Sequence, residues 1–410
     1  MATNLSRREA AAIARIDPPD RAAPGSPAHA IRRVTLADFR CYRHLRVDIE
    51  PGPVVLTGPN GAGKTNLLEA LSFLVPGRGL RRAKLADAQR RAPEADDSAG
   101  RPWAVAVTAD GPTGTRDVGT GMEDNAEGRD KRVVRIDGET RKSQAALAEV
   151  LNLHWLTPQM DRLFVEGAAG RRRFLDRIVF GFDPAHAGRV LAYEHALRER
   201  ARLLADNRGP AHWDRTWLAA LEETVAEKGI AVAAARLEIA RRLDAACRNA
   251  DGPFPAAGIG LAGEVEDWLR DMPALAAEDR FKGALEASRR KDAETGGAQQ
   301  GPHRSDVMVF HLPKNQPADI CSTGEQKALL IALVLGTAGL AQAEKGWTPV
   351  LLLDEVAAHL DETRRRLLFE TLVGLGAQVW LTGTEPDLFE PLRGHARFFA
   401  VENAAVIPVS

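Results

Sequence analysis

The octet GPNGAGKT, Gly58 to Thr65, restricts what this chain can fold into more than any other stretch. It matches the pattern G-x-x-x-x-G-K-[ST], with the apolar run PVVLTG leading into it and NLLEAL following, so a strand, a glycine turn and a helix are expected in that order. Glycine at Gly58, Gly61 and Gly63, with Pro59, Asn60 and Ala62 between them, lets the backbone turn until successive N–H groups converge, and the helix N-terminus adds its positive dipole end. Such a loop cradles phosphate. Lys64 is placed to bridge the β- and γ-phosphates of a nucleotide, and Thr65 to offer its hydroxyl to Mg²⁺.

A second stretch, TPVLLLDEVAAHLD from Thr348 to Asp361, has four apolar residues delivering two acids to the end of a strand, where ligands sit in open α/β sheets. Asp354 suits a Mg²⁺-bound water, and Glu355 is placed to polarise an attacking water as general base. Taken alone, the pair could cap a helix. Beside the glycine loop it points to nucleotide hydrolysis.

A third stretch, STGEQ from Ser322 to Gln326, stands directly before the apolar run Ala328 to Ala343. Two readings are open. Ser322 can simply cap the helix, or Ser322 and the backbone at Gly324 can present a hydroxyl and N–H groups to the far side of a γ-phosphate. Because they lie so far along the chain from the glycine loop, that phosphate could belong to a second copy.

Composition narrows the classes. With 55 Lys and Arg against 56 Asp and Glu the net charge is −1, so no global positive field draws the chain to nucleic acid. Contacts with DNA must come from local clusters. Arg78, Arg81, Arg82 and Lys84 form one, and Arg171, Arg172 and Arg173 another; both can bind phosphates without sequence preference, or can be solvated faces paired with nearby acids such as Asp87 and Asp176. The 3 cysteines, Cys41, Cys247 and Cys321, are scattered singly, which argues against a structural zinc site and favours a reducing cytoplasm. The run Ala328 to Ala343 falls short of the roughly 20 residues a membrane span needs and reads as a buried core helix. No membrane role is expected.

Residues 1–30 read as a disordered extension with no secretory signal, an organellar transit peptide being the lesser alternative. Short β-rich runs then lead to the glycine loop, and WAVAVTAD and RVVRIDG are further strands with a polar, Gly-rich loop between them. From Asp183 the pattern is strongly helical without sustained heptads. The expected division is 1–30, then 31–180 and 301–410 as the two halves of one nucleotide-binding head, with 181–300 an inserted helical arm.

Together these motifs resemble the ABC-type ATPase heads, and among them the RecF family of bacterial recombination mediators. The likeness rests on DFRCYRHL (Asp38 to Leu45), GPNGAGKTNLLEAL, GRGLRRAK (Gly77 to Lys84), RRRFLDR (Arg171 to Arg177), GPHRSD (Gly301 to Asp306), STGEQKALL and LLLDEVAAHLD, in the family's order over about residues 31 to 400. It implies an α/β fold, an ABC-type P-loop ATPase head with an antiparallel β subdomain and an inserted α-helical arm. It implies ATP and Mg²⁺ as cofactors, and an ATP-dependent head-to-tail homodimer on single-stranded or gapped duplex DNA, with slow hydrolysis acting as a switch. RecR, with RecO and RecA in the pathway, would be the partners, in the bacterial cytoplasm.

The resemblance puts Gln159 of TPQMD in the loop that senses γ-phosphate and Mg²⁺, where the family usually has an acid, and Asp361 where the two active sites are linked. Where many ABC proteins have a switch histidine this chain has LTGTEPD, with Thr382 and Thr384. His303 and His359 are expected to pack in loops or core, and Ser305 stands where the family commonly has aspartate. Two other classes fit less well. A transporter's ATP-binding subunit needs no such long insert and usually has two glycines where this chain reads TGE. An SMC-type chromosome protein needs hundreds of heptad residues that are absent.

Overall fold

The computed structural model describes residues 29–90, 101–111, 114–124, 130–205, 209–249 and 252–409. Nearly all of the expected N-terminal extension and of the acidic stretch at 92–101 lies outside them. The N-terminal part runs β1 (Ala30–Phe39), β2 (Tyr42–Asp48), β3 (Val54–Thr57), α1 (Lys64–Ser72), β4 (Ala104–Gly111), β5 (Gly114–Asp124), β6 (Asp130–Ile136), β7 (Glu139–Arg141), β8 (Leu153–Leu156) and α2 (Ala168–Phe182). Then come α3 (Ala185–Leu204), α4 (Arg215–Arg248), β9 (Ala257–Ala262), α5 (Glu264–Asp271) and α6 (Ala274–Thr295). The chain closes with β10 (Asp306–His311), β11 (Gln316–Pro317), α7 (Thr323–Lys345), β12 (Val350–Leu353), α8 (Glu362–Gly374), β13 (Val379–Gly383), β14 (Arg397–Glu402) and β15 (Ala405–Val409).

The central sheet has the order β15-β14-β3-β13-β12-β8, parallel from β14 to β8. Its strands read as unbroken apolar runs because both faces are covered. Val54 and Leu56 of β3, with Val350 and Leu352 of β12, face a core shared with α1 and the antiparallel sheet β2-β1-β4-β5-β6-β7. Val55, Leu351 and Leu353 face the opposite core, built from α7, α2, α4 and α8. By length and composition α7 could cross a bilayer, yet 61% of its most apolar window is buried. It is the core helix expected from Ala328 to Ala343.

Two sheets are fastened by one side chain. Gln378, buried before β13, accepts the Ile31 N–H at 2.7 Å and donates to the Ile31 carbonyl at 3.0 Å, so it completes the backbone bonding of β1 where that strand passes the central sheet.

The stretch read as a Gly-rich loop between WAVAVTAD and RVVRIDG is largely a strand, β5, paired along its length with β4. Val118, Thr120 and Met122 point inward at period 2, and Gly119 and Gly121 lie on the other face. A Cβ on Gly121 would lie 2.7 Å from the Trp103 carbonyl oxygen, so here glycine permits close strand approach.

The helices α3, α4 and α6 pack around Tyr193, Val225, Ile230, Phe281 and Leu285. Arg200, fully buried on α3, bonds Glu222 at 3.0 Å and Asp292 at 2.8 Å, which compensates its desolvation. The same α4 continues into the head core through Ile239, Leu243 and Cys247. β9, from within 181–300, pairs antiparallel with β10 from beyond it, so a three-stranded sheet crosses the boundary expected at 300.

Candidate nucleotide site and basic surface

The glycine loop lies between β3 and α1, at the C-terminal edge of the parallel sheet. Gly58 has φ 148° and Gly63 φ 119°. At Gly58 a Cβ would sit 2.2 Å from the Val401 carbonyl oxygen on β14, so this position requires glycine twice over. Lys64 Nζ donates to the carbonyls of Gly58 at 2.6 Å and Pro59 at 2.9 Å, which holds its ammonium across the loop. Burial lowers the Lys64 pKa, while the nearby Glu355 and Asp354 carboxylates oppose that shift.

Asp354 and Glu355 follow β12, and β3 is separated from it by β13. The parallel register nonetheless brings three chain segments to one point. Thr65 Oγ1 lies 3.0 Å and 3.1 Å from the two Asp354 carboxylate oxygens, and Thr382 Oγ1, from β13, donates to Asp354 Oδ1 at 2.7 Å. The Thr382 oxygen in turn accepts the Glu355 N–H at 2.9 Å. Burial pushes the Asp354 carboxyl above its usual range, against the hydrogen bonds from Thr382 and Thr65. A carboxylate and a hydroxyl at this spacing are hard oxygen donors of the kind Mg²⁺ takes alongside substrate phosphates and water. Among the described residues no group of three or more His, Cys, Asp or Glu forms a metal cage.

Ser322 caps α7 in a reciprocal box: Glu325 N–H donates to Ser322 Oγ at 3.4 Å, and Ser322 N–H to Glu325 Oε2 at 2.9 Å. Lys314, from the turn after β10, adds an ion pair to Glu325. The cap reading therefore holds, and it does not displace the other. As an acceptor in the cap Ser322 keeps its hydroxyl proton, and Ser322, Thr323 and Gly324 are exposed in the first turn, where helix N–H groups lack internal partners. Among the described residues, Lys327 is the next charged side chain of α7, and it points the other way, buried, with Nζ 3.8 Å from Asp161. Sequence reasoning passed over both Lys327 and Asp161.

Gln159 is exposed in the turn after β8, the strand paired with β12, which Asp354 follows. Asp361 caps α8, accepting the Arg364 N–H at 2.8 Å. His303 packs as expected, with Nδ1 2.6 Å from the Tyr193 hydroxyl and Nε2 2.9 Å from the Ala298 carbonyl; the His359 side chain lies outside the description. Ser305 is buried and donates to Glu266 Oε2 at 2.6 Å, so the acid at this spot comes from α5 and a second one at position 305 would face it.

The basic clusters divide. Arg171 forms a two-point ion pair with Asp306, at 2.7 and 2.8 Å, and donates to the carbonyls of Leu163, Phe164 and Glu166, which turns most of its guanidinium donors inward. Arg172 donates to the Ser305 carbonyl at 2.6 Å. Arg81 bonds Asn66 at 2.8 Å and the fully buried Glu69 at 2.9 Å, and Arg40 holds the same carboxylate from the other side. These two arginines line an open cleft of about 680 Å³ with Cys41, Asn66 and Asp87, directly beside the glycine loop. Arg78, Arg82, Lys84 and Arg173 remain exposed. Burial, then the positive charge of Arg82 and of Arg172, lowers the Arg173 pKa, so the two clusters share one field although far apart in sequence.

The family described as the RecF/RecN/SMC N terminal domain matches residues 30–406. The DNA replication and repair protein RecF of Mesorhizobium japonicum is 49% identical over 380 residues, which cover 92% of this chain and 97% of that protein. RecF of Caulobacter vibrioides is 46% identical over 384 residues, with the same coverage. Among solved structures the fold is similar to the recombination mediator protein RecF-ATPrS of the RecFOR pathway, with a TM-score of 0.78 and 21% identity over 95% of this chain and 100% of that one.

Proposed function

Because the chain belongs to the RecF proteins of the RecF/RecN/SMC family, we propose that it is a DNA-repair ATPase that closes as an ATP-dependent head-to-tail homodimer on DNA and reopens on slow hydrolysis. The observation that carries this reading is the meeting of Thr65, Asp354, Thr382 and Glu355 at the edge of the parallel sheet. The loop N–H groups and Lys64, swung from the Gly58 and Pro59 carbonyls, would bind the β- and γ-phosphates. Thr65 and Asp354 would hold Mg²⁺, which supplies charge neutralisation on those phosphates.

Glu355 is the general base for the attacking water, and Thr382 fixes its backbone. Charge developing on the transferred group is met by Lys64 on one side. On the other it meets the Ser322 hydroxyl proton and the first-turn N–H groups, including Gly324, of a second copy. A ligand held by two subunits stabilises their association for as long as both contact it, so the nucleotide acts as a switch. Gln159 would sense the γ-phosphate, and Asp361 would link the two sites across the dimer.

Arg78, Arg82, Lys84 and Arg173 form the DNA-facing surface, contacting backbone phosphates of single-stranded or gapped duplex DNA. The loop bearing three of them is tied to α1 through Arg81 and Glu69, next to the nucleotide. RecR, with RecO and RecA downstream, completes the pathway in which the closed form acts.

Light scattering tests the reading on the purified protein alone, with ATP and Mg²⁺, and with gapped duplex added. A monomer that dimerises only with ATP, and retains DNA only then, is expected. A monomer under every condition removes the clamp and leaves the nucleotide site standing.

A further inference from the structure

The helix that begins at Ser322 also reaches into its own subunit's catalytic edge. Lys327 lies on the buried side of the first turns of α7, with a relative exposure of 8%. Its ammonium lies 3.8 Å from Asp161 Oδ2, on the turn after β8. Lys327, Asp161, Thr157 and Asp354 line one small enclosed space at the C-terminal ends of β8 and β12. Thr157 Oγ1 is buried there without a hydrogen-bond partner. The charged groups around the ammonium are Asp161 from β8's turn and Asp354 and Glu355 from the end of β12; burial lowers the Lys327 pKa, and Asp161 and Glu355 oppose it.

A buried ammonium with three donors and one loosely placed partner is costly unless it gains further acceptors. Its observed partner is Asp161 at 3.8 Å, and Asp354 and Val356, which flank the general base in the chain, line the same space. We propose that Lys327 is a positioning residue for hydrolysis, holding its own subunit's Glu355 and relaying to it whether Ser322 has engaged the other copy's nucleotide. α7 is a continuous helix, so a shift of its first turn on meeting a phosphate must carry the ammonium with it. Contact with ATP in one site would then set the base in the other, and the two sites would fire together. This rests on the head-to-tail reading above.

The test uses dimers of two differently tagged protomers, purified through both tags in ATP and Mg²⁺. One protomer carries Glu355→Gln, so that only its partner's site turns over. Placing Lys327→Met on the protomer with the live base is expected to lower ATP turnover at least tenfold. On the Glu355→Gln protomer, whose Ser322 faces the live site, the same substitution should leave turnover within about twofold. Lys327→Arg on the live side should restore part of the rate, and the dimer mass should be unchanged throughout. Equal loss in both placements, or loss only opposite the live site, overturns the proposal and makes Lys327 a support for the Ser322 end. If the unsubstituted protein forms no ATP-dependent dimer, the head-to-tail reading itself falls, and this inference with it.

Discussion

Thr382 donates its hydroxyl proton to Asp354 at 2.7 Å and accepts the N–H of Glu355 with the same oxygen. Glu355 holds φ 53°, a left-handed conformation unusual for a non-glycine residue, so its backbone needs such an anchor. Thr382→Val keeps the shape and removes both bonds. ATP turnover should fall about tenfold or more, the equivalent of one or two hydrogen bonds lost near the reacting centre, with ATP-dependent dimers still forming. A turnover rate equal to the parent's would show that the hydroxyl only fills space.

Three substitutions separate binding, closure and chemistry. Lys64→Met should abolish ATP-driven dimers, since the loop loses its charge on the phosphates. Ser322→Arg should leave nucleotide binding to the monomer intact and block the dimer, because the exposed first turn of α7 would then carry bulk and charge. Glu355→Gln should accumulate the dimer while slowing hydrolysis by orders of magnitude. Equilibrium binding of a fluorescent ATP analogue, read beside molar mass, distinguishes them; a dimer retained by Ser322→Arg would leave Ser322 as a helix cap alone.

Much of this site was legible because its motifs are local. The glycine loop and the DE pair each declare their strand and turn within about a dozen residues. Thr382 was visible only as the absence of histidine, since its role depends on β13 lying beside β12 with Leu353 opposite Leu381, a parallel register no spacing reveals. The arginine run divides for a reason the spacing does contain. On a helix, consecutive side chains point about 100° apart, so Arg171, Arg172 and Arg173 could not all face one ligand. Two turn inward to Asp306 and to the Ser305 carbonyl, and one remains outside.

That division predicts opposite phenotypes for neighbouring residues. Arg173→Glu and Arg82→Glu should weaken DNA retention by the ATP dimer and flatten its dependence on salt, each removing about one counterion from the slope. Folding should be unaffected. Arg171→Ala should instead destabilise the fold by on the order of 3 kcal/mol, because Asp306 and three carbonyls lose their partner. Binding isotherms over a salt series, with urea unfolding of the same proteins, decide it. An Arg171→Ala protein of full stability that fails on DNA would restore the cluster as a whole to the DNA surface.

Replacing Gln378 tests the fastening between sheets. Gln378→Ala leaves the N–H and carbonyl of Ile31 buried without partners and should cost about 1–3 kcal/mol per lost group. Gln378→Glu retains an acceptor but turns a buried carboxylate on the Ile31 carbonyl, and should be no more stable than the alanine variant at pH 7. Unfolding midpoints in urea would show that order; an alanine variant as stable as the parent would mean that β1 finds other partners.

The last prediction concerns acid. Burial lowers the pKa of His29 from 6.5 to about 4 and that of His154 to about 3, and neither the His29 ring nitrogens nor His154 Nε2 has a hydrogen-bond partner. Both are neutral in the fold. The unfolded chain takes up their protons near pH 6.5, so stability is full above that value and declines as pH falls, until each folded pKa is passed. Between pH 6.5 and roughly 5.5 carboxylates with ordinary pKa values stay ionised, so the loss there is carried by histidine, approaching about 1.4 kcal/mol per pH unit for each proton. His154→Leu should therefore flatten the decline by about one proton's worth. Urea midpoints at pH 7, 6 and 5 supply the slopes, and a variant with the parent's slope would show that His154 is already protonated, or already solvated, in the folded protein.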